Sequence, residues 1–148
     1  MRKLNYVDNF ETWRSEFSFY STIKVRFSET DMNGHMNNVS AFIYMEQARI
    51  EFLESKGLLD DTLDPEGMMV VADLQCDYHQ QIYFNEQIKM YVKANHVGTT
   101  SVDLHYLAVN EQDEVLLTGR NRLVYLNMKT NKTKPIPENI KRRLLSTY

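Results

Sequence analysis

At 148 residues the chain has the size of one domain and can bury a core without disulfide or metal staples. Its 43% hydrophobic and 25% charged content is ordinary for a globular protein, and a net charge of −3 offers no electrostatic footprint for nucleic acid. The one cysteine, Cys76, excludes an internal disulfide and a cysteine-rich metal site. It lies in an apolar run and reads as a buried free thiol. No apolar run approaches the ~18 residues that span a membrane, and the N-terminus lacks the apolar stretch of a signal peptide. A cytoplasmic protein with no metal or redox cofactor is expected. One domain over residues 1–148 is expected, with 1–18 an N-terminal extension and 138–148 a short C-terminal helix.

Residues 1–18 mix Trp13 with other aromatics and suit a short helix or arm. Phe19 to Phe27 alternates as a strand, with Ile23, Val25 and Phe27 on one face. The segment from Phe27 to Asn38 then places a carboxylate, an amide, a glycine and an imidazole together: Asp31, Asn33, Gly34 and His35. A strand end holds such a carboxylate rigidly, and a following helix offers unpaired N–H groups and a positive dipole end. A carbonyl oxygen held there would be polarised while Asp31 acts on its carbon.

From Val39 to about Lys56 the spacing is helical. Val39, Phe42, Ile43, Ile50 and Leu53 make one apolar stripe, and Ala41, Met45, Ala48 and Phe52 a second. Only Gln47, Glu51, Glu54 and Ser55 remain as a polar strip, so other elements should surround this helix. Gly57 is a natural stop. Beyond an Asp-rich loop with Pro65 and Gly67 the period becomes two. Met68 to Tyr78 reads as a strand. So does Glu86 to His96, with Ile88, Met90, Val92 and Ala94 on one face and Lys89, Tyr91, Lys93 and Asn95 on the other. Gly98 marks a turn. Thr100 to Asn110 is the next strand, Glu111-Gln112-Asp113 a hairpin loop, and Val115 to Leu126 a long strand with Gly119 a candidate bulge. Pro135-Ile136-Pro137 breaks the chain before a terminal helix that Pro137 suits as a first turn. An antiparallel sheet around one central helix satisfies this order. Uncovered apolar surface and a sheet edge predict self-association.

By residue type Asp31 suits a turn cap as well as a catalytic carboxylate. Gly34 permits a positive φ and close backbone approach, and the N–H groups of Gly34, His35 and Met36 are candidate donors to a substrate oxygen. His35 suits a structural hydrogen bond or the positioning of substrate or Asp31. Asn33 is a turn residue or an orienter of water or of the carboxylate. Asn37 and Asn38 suit helix caps. Glu46 falls on the apolar stripe and so needs a partner, with Arg49 at i+3 or a motif-loop backbone group as candidates. His79, His96 and His105 lack metal-ligand spacing. Lys129, Lys132, Lys134 and Lys141-Arg142-Arg143 form a basic region that is either solvated or a receptor for phosphates.

The motif residues Val25-Arg26-Phe27, Thr30-Asp31, Gly34-His35, Asn37-Asn38 and Glu46-Gln47-Ala48-Arg49 resemble those of the hotdog-fold thioesterases, in the branch of 4-hydroxybenzoyl-CoA thioesterase and the bacterial acyl-CoA thioester hydrolases. Asp31-Met32-Asn33-Gly34-His35 also resembles the Asp-x-Asn-x-His element of plant acyl-ACP thioesterases. The resemblance implies an α+β hotdog fold, a curved antiparallel sheet wrapped around the long helix. It implies dimers joined sheet edge to edge, or tetramers of dimers, with active sites at the subunit interface. It implies an acyl-CoA thioesterase in which Asp31 acts as general base or nucleophile, releasing a carboxylic acid and free coenzyme A. The Gly34-His35 turn would cradle the oxygen, with Asn33 and Met36 beside it, while Asn37, Asn38, Glu46 and Arg49 support the site. The rivals are an acyl-ACP thioesterase and a non-catalytic acyl-CoA binder. Two departures stand out. Ala41 replaces a tyrosine frequent in relatives, and Tyr78-His79-Gln80-Gln81 carries Gln81 where the plant enzymes carry a glutamate, so no second acid is expected there. Residues 1–18 have no counterpart in the family pattern.

Overall fold

The alternation read along the second half of the chain becomes strands that build a single sheet. The computed structural model describes residues 1–147. Its elements are α1 (Phe10–Ser15), β1 (Phe19–Lys24), a 3-10 turn (Phe27–Glu29), α2 (Ser40–Ser55), β2 (Gly67–Tyr78), β3 (Gln87–Val97), β4 (Ser101–Val109), β5 (Val115–Asn127) and α3 (Glu138–Leu145). The five strands lie in the order β1-β3-β4-β5-β2, each antiparallel to its neighbours. Helix α2 packs against β1, β2 and β3 on one face, which is the hotdog arrangement. No helix is long and apolar enough to cross a membrane.

The inner face is the main core. Ala41, Met45, Ala48 and Phe52 of α2 meet Ile88, Met90 and Val92 of β3 and Leu104 and Tyr106 of β4. Gly119 is not a bulge: it pairs in register with Cys76 and Tyr106, and the register shifts fall elsewhere. Its lack of a side chain serves the helix instead. A Cβ there would lie 2.9 Å from both the Gln75 carbonyl oxygen and Met45 Cε. Cys76 is only half-buried, and that burial pushes its thiol up to about 11.

Two sequence expectations fail here for reasons of geometry. The first strand stops at Lys24, and Phe27 turns outward in the 3-10 turn at 78% exposure. Its ring rests edge-on against Phe84 instead of in the core. Glu46 is exposed, since the first apolar stripe of α2 is open along Val39, Ile43 and Ile50. Arg49 turns inward to the Tyr106 hydroxyl at 3.3 Å and makes no ion pair with Glu46 among the described residues.

The N-terminal extension covers the outer face. Leu4, Val7 and Trp13 pack on Leu107 and Val109 of β4, with Tyr6, Phe10, Phe17 and Tyr91 around them. Trp13 Nε1 donates to His105 Nδ1 at 2.8 Å, so that nitrogen carries no proton. Burial, then the charge of Lys93, pushes His105 down to about 4. Lys93, an outward-facing strand residue, is thereby buried, pairs with Glu16 at 2.5 Å, and lies over the Trp13 and Phe17 rings.

Candidate active site

The loop between β1 and α2 is held at both ends by backbone bonds. Met36 N–H donates to the Ile82 carbonyl at 2.6 Å, and Asn37 N–H to the Glu29 carbonyl at 2.7 Å. Between them the chain closes a tight turn: Asp31 N–H donates to the His35 carbonyl at 2.8 Å and Gly34 N–H to the Asp31 carbonyl at 3.2 Å. Gly34 sits at φ 77°, in the left-handed region that favours glycine, while a Cβ there would meet nothing within 4 Å. Its need is conformational and not one of close approach.

Asp31 braces this turn with one oxygen. Oδ1 accepts from Asn33 N–H at 2.8 Å and His35 N–H at 3.1 Å. Oδ2 accepts nothing among the described residues, and Asp31 is exposed. The N–H groups of Gly34, His35 and Met36 are therefore all engaged, the first two within the loop and the third by Ile82. The Asn38 and Val39 N–H groups, at the start of α2, have no partner among the described residues. These are the donors that a helix start leaves open.

The neighbouring side chains fix the helix start. Asn37 Oδ1 accepts from Ser40 N–H at 2.9 Å and Ser40 Oγ at 3.0 Å, a side-chain cap. The Tyr78 hydroxyl donates to the Asn38 carbonyl, tying the end of β2 to the helix. Just before the turn, Glu29 is 6% exposed and bonded by Arg26 Nη2 at 2.9 Å and the Tyr44 hydroxyl at 2.7 Å. The Arg26 hydrogen bonds, helped by Tyr44, hold the Glu29 carboxyl down to about 2 against the burial that would raise it. Glu29 and Tyr44 were not singled out from sequence, because a glutamate in a polar loop carries no mark of burial.

A cleft of about 440 Å³ opens beside this start, lined by Asp31, Met36, Asn38, Tyr78, His79, Gln80, Gln81 and Ile82. Asp31 is the one carboxylate among them. The cleft thus brings Asp31, Met36 and Asn38 together but not Asn33, Gly34 or His35, which brace the turn behind. The His35 ring lies edge-on to Tyr83, 5.0 Å between centroids. His79 meets Thr118 Oγ1 at 2.9 Å, and burial lowers its pKa. Tyr78, His79, Gln80 and Gln81 line the same cleft, so the position where the plant enzymes' pattern carries a glutamate is an amide here. Of the basic C-terminal residues, Lys134 is spent on Asp64 at 2.7 Å, Lys129 on Glu66 at 3.1 Å, and Arg143 on the Gly57 carbonyl at 3.2 Å.

Comparison with known proteins matches this architecture. Residues 25–144 match the model of the thioesterase-like superfamily. The uncharacterized protein YsmA of Bacillus subtilis (strain 168) is 40% identical over 143 residues, 96% of each chain. Among solved structures, the DHNA-CoA thioesterase of Staphylococcus aureus superposes with a TM-score of 0.71 at 23% identity, over 78% of each chain. The protein SAV2348 of Staphylococcus aureus, solved in complex with CoA, superposes with a TM-score of 0.79 at 15% identity, over 90% of this chain and 88% of its own. At such identities these two structures speak for the fold. The family model, over most of the chain's length, carries the assignment: the chain belongs to the thioesterase-like superfamily.

Proposed function

We propose that the protein hydrolyses acyl-CoA thioesters to a carboxylic acid and free coenzyme A. One observation carries this reading. Asp31 lines the same cleft as Asn38 and keeps a carboxylate oxygen that accepts nothing among the described residues, at a helix start whose N–H groups at Asn38 and Val39 have no partner among the described residues. The thioester oxygen would rest on those N–H groups, where the helix dipole favours developing negative charge. Asp31 Oδ2 would take a proton from water as the hydroxide adds to the carbonyl carbon. The tetrahedral oxyanion would then collapse, break the C–S bond and expel the coenzyme A thiolate, which regains the proton from Asp31. Direct attack by Oδ2 would pass through an anhydride that water cleaves, with the same products. Both routes use the same free oxygen. The superfamily assignment and a structural neighbour solved with CoA support a CoA thioester as substrate.

The chain is proposed to act as a homodimer, since the exposed stripe on α2 and the unpaired edge of β2 call for cover. A cytoplasmic location is proposed with it. A panel of acyl-CoA esters, read by appearance of free thiol, tests the activity. Turnover of at least one ester is expected. Saturable acyl-CoA binding without thiol release would replace the enzyme by a binder, and faster release from acyl-ACP would move the substrate to the carrier protein.

A further inference from the structure

His79 lines the same cleft as Asp31, and a chain of hydroxyls fixes its imidazole. Nε2 lies 2.9 Å from Oγ1 of Thr118, a side chain with no exposure to solvent. The Thr118 hydroxyl also hydrogen-bonds the Tyr6 hydroxyl, which donates to Asp77 Oδ2 at 3.4 Å. Arg2 holds Asp77 in turn at 2.9 Å.

This chain has a direction. A carboxylate accepts, so Tyr6 spends its one hydrogen on Asp77. Burial raises the pKa of the Tyr6 hydroxyl, so that hydrogen stays in place. Tyr6 therefore accepts from Thr118, and Thr118, its own hydrogen spent, accepts from His79 Nε2. The proton of the neutral ring sits on Nε2, and Nδ1 keeps a lone pair. Nδ1 has no partner among the described residues.

We propose that His79 Nδ1 holds the attacking water in the cleft while Asp31 Oδ2 takes a proton from it. The inference rests on the thioester hydrolysis proposed above and adds a second residue to it. Water carries two hydrogens: Asp31 removes one as the hydroxide adds, and His79 accepts a hydrogen bond from the one that stays. That second anchor turns the water's lone pair toward the carbonyl carbon. No proton passes to His79, so the balance of the hydrolysis is unchanged. The charged groups around the ring are Asp77, which favours its protonation, and Arg2 and the N-terminal amine, which oppose it, with Asp31 in the shared cleft. Burial is the largest influence and lowers the ring's pKa, which keeps Nδ1 open as an acceptor at neutral pH.

Ring-nitrogen NMR and kinetics test this together. The His79 signal, identified by its loss in His79→Gln, is expected as the Nε2–H tautomer at neutral pH. Tyr6→Phe lets the Thr118 hydroxyl donate to the ring, so the tautomer should move toward Nδ1–H. An Nδ1–H ring in the wild type overturns the proposal whatever the substrate. In the thiol-release assay, His79→Phe should lower kcat about tenfold at little change in KM, the worth of one neutral hydrogen bond. His79→Gln, whose amide offers both a donor and an acceptor, should recover part of that loss. Wild-type kcat should fall as pH drops below about 6.5, where a proton on Nδ1 removes the acceptor, and His79→Gln should lack that limb. A purely structural pair with Thr118 would move the melting temperature but neither the limb nor the split between kcat and KM. Full kcat in folded His79→Phe, or the same acid limb in His79→Gln, overturns the role of His79 alone. If His79→Phe does not fold, the pH profile of His79→Gln decides. A wild type that releases no thiol from any ester overturns the hydrolysis and this role with it.

Discussion

Around Asp31 a carboxylate oxygen and the Asn38 and Val39 N–H groups have no partner among the described residues, while the polar groups beneath the N-terminal arm are closed off. Trp13 spends its indole N–H on His105, and Lys93 spends its charge on Glu16 and two aromatic rings. Both regions mix aromatic and charged residues at a strand surface. The difference is where hydrogen-bonding capacity ends up. The arm uses it internally to bury Trp13 and so adds stability, whereas the motif loop braces itself with one oxygen of Asp31 and leaves the other to the cleft. Open polar groups beside a cleft are available to a ligand; closed ones under an arm serve packing.

That contrast predicts that the two regions fail differently. Trp13→Ala should cost about 3 kcal/mol of stability by emptying the outer cluster, seen as a fall in melting temperature, while activity per folded molecule stays near wild type. A loss of kcat at unchanged folded fraction would make the arm part of the site. Glu29→Gln should cost about 2 kcal/mol, since it weakens charge-assisted bonds from Arg26 and Tyr44 at the edge of the motif loop. Urea titration would read this, and a midpoint equal to wild type would show that the buried carboxylate does not hold the loop. The smallest effect is one of pH. His105 titrates near 4 when folded, against about 6.5 in an unfolded chain. The unfolded chain therefore binds the proton first, and the contribution of His105 is complete above pH ~6.5 and drains as pH falls toward 4. Glu29 drains lower, from about 4.5 toward 2. His105→Gln should flatten the upper part of that slope, and an unchanged slope would detach His105 from the arm's stability.

The sheet and the long helix were legible in the sequence because alternation in Gln87–Val97 and helical spacing in Ser40–Ser55 are local patterns. The motif around Asp31 stood out for the same reason, as a short dense run of polar residues, and Asp31 lines the cleft. What the sequence hid lies in contacts between distant segments. Trp13 and His105 meet across a separation of 92 residues, and nothing in either neighbourhood announces it. Glu46 looked buried because hydropathy does not distinguish a stripe facing the chain's own core from one left open. The engagement of the Gly34, His35 and Met36 N–H groups depends on the Asp31 side chain bending back and on Ile82 running alongside, which no spacing rule encodes. Asn38 and Val39 keep N–H groups without a partner among the described residues, because the loop's own bonds pass them by.

Asp31→Asn tests the central claim most directly. The amide keeps an oxygen where Oδ1 accepts the Asn33 and His35 N–H bonds, so the loop should stay folded and the melting temperature should hardly move. It removes the charge and the base from the cleft. Thiol release from the best acyl-CoA ester should fall by about 10²–10⁴-fold in kcat while acyl-CoA still binds. Hydrolysis at near wild-type rate by a folded Asp31→Asn protein would contradict the account and send the chemistry to another wall of the cleft.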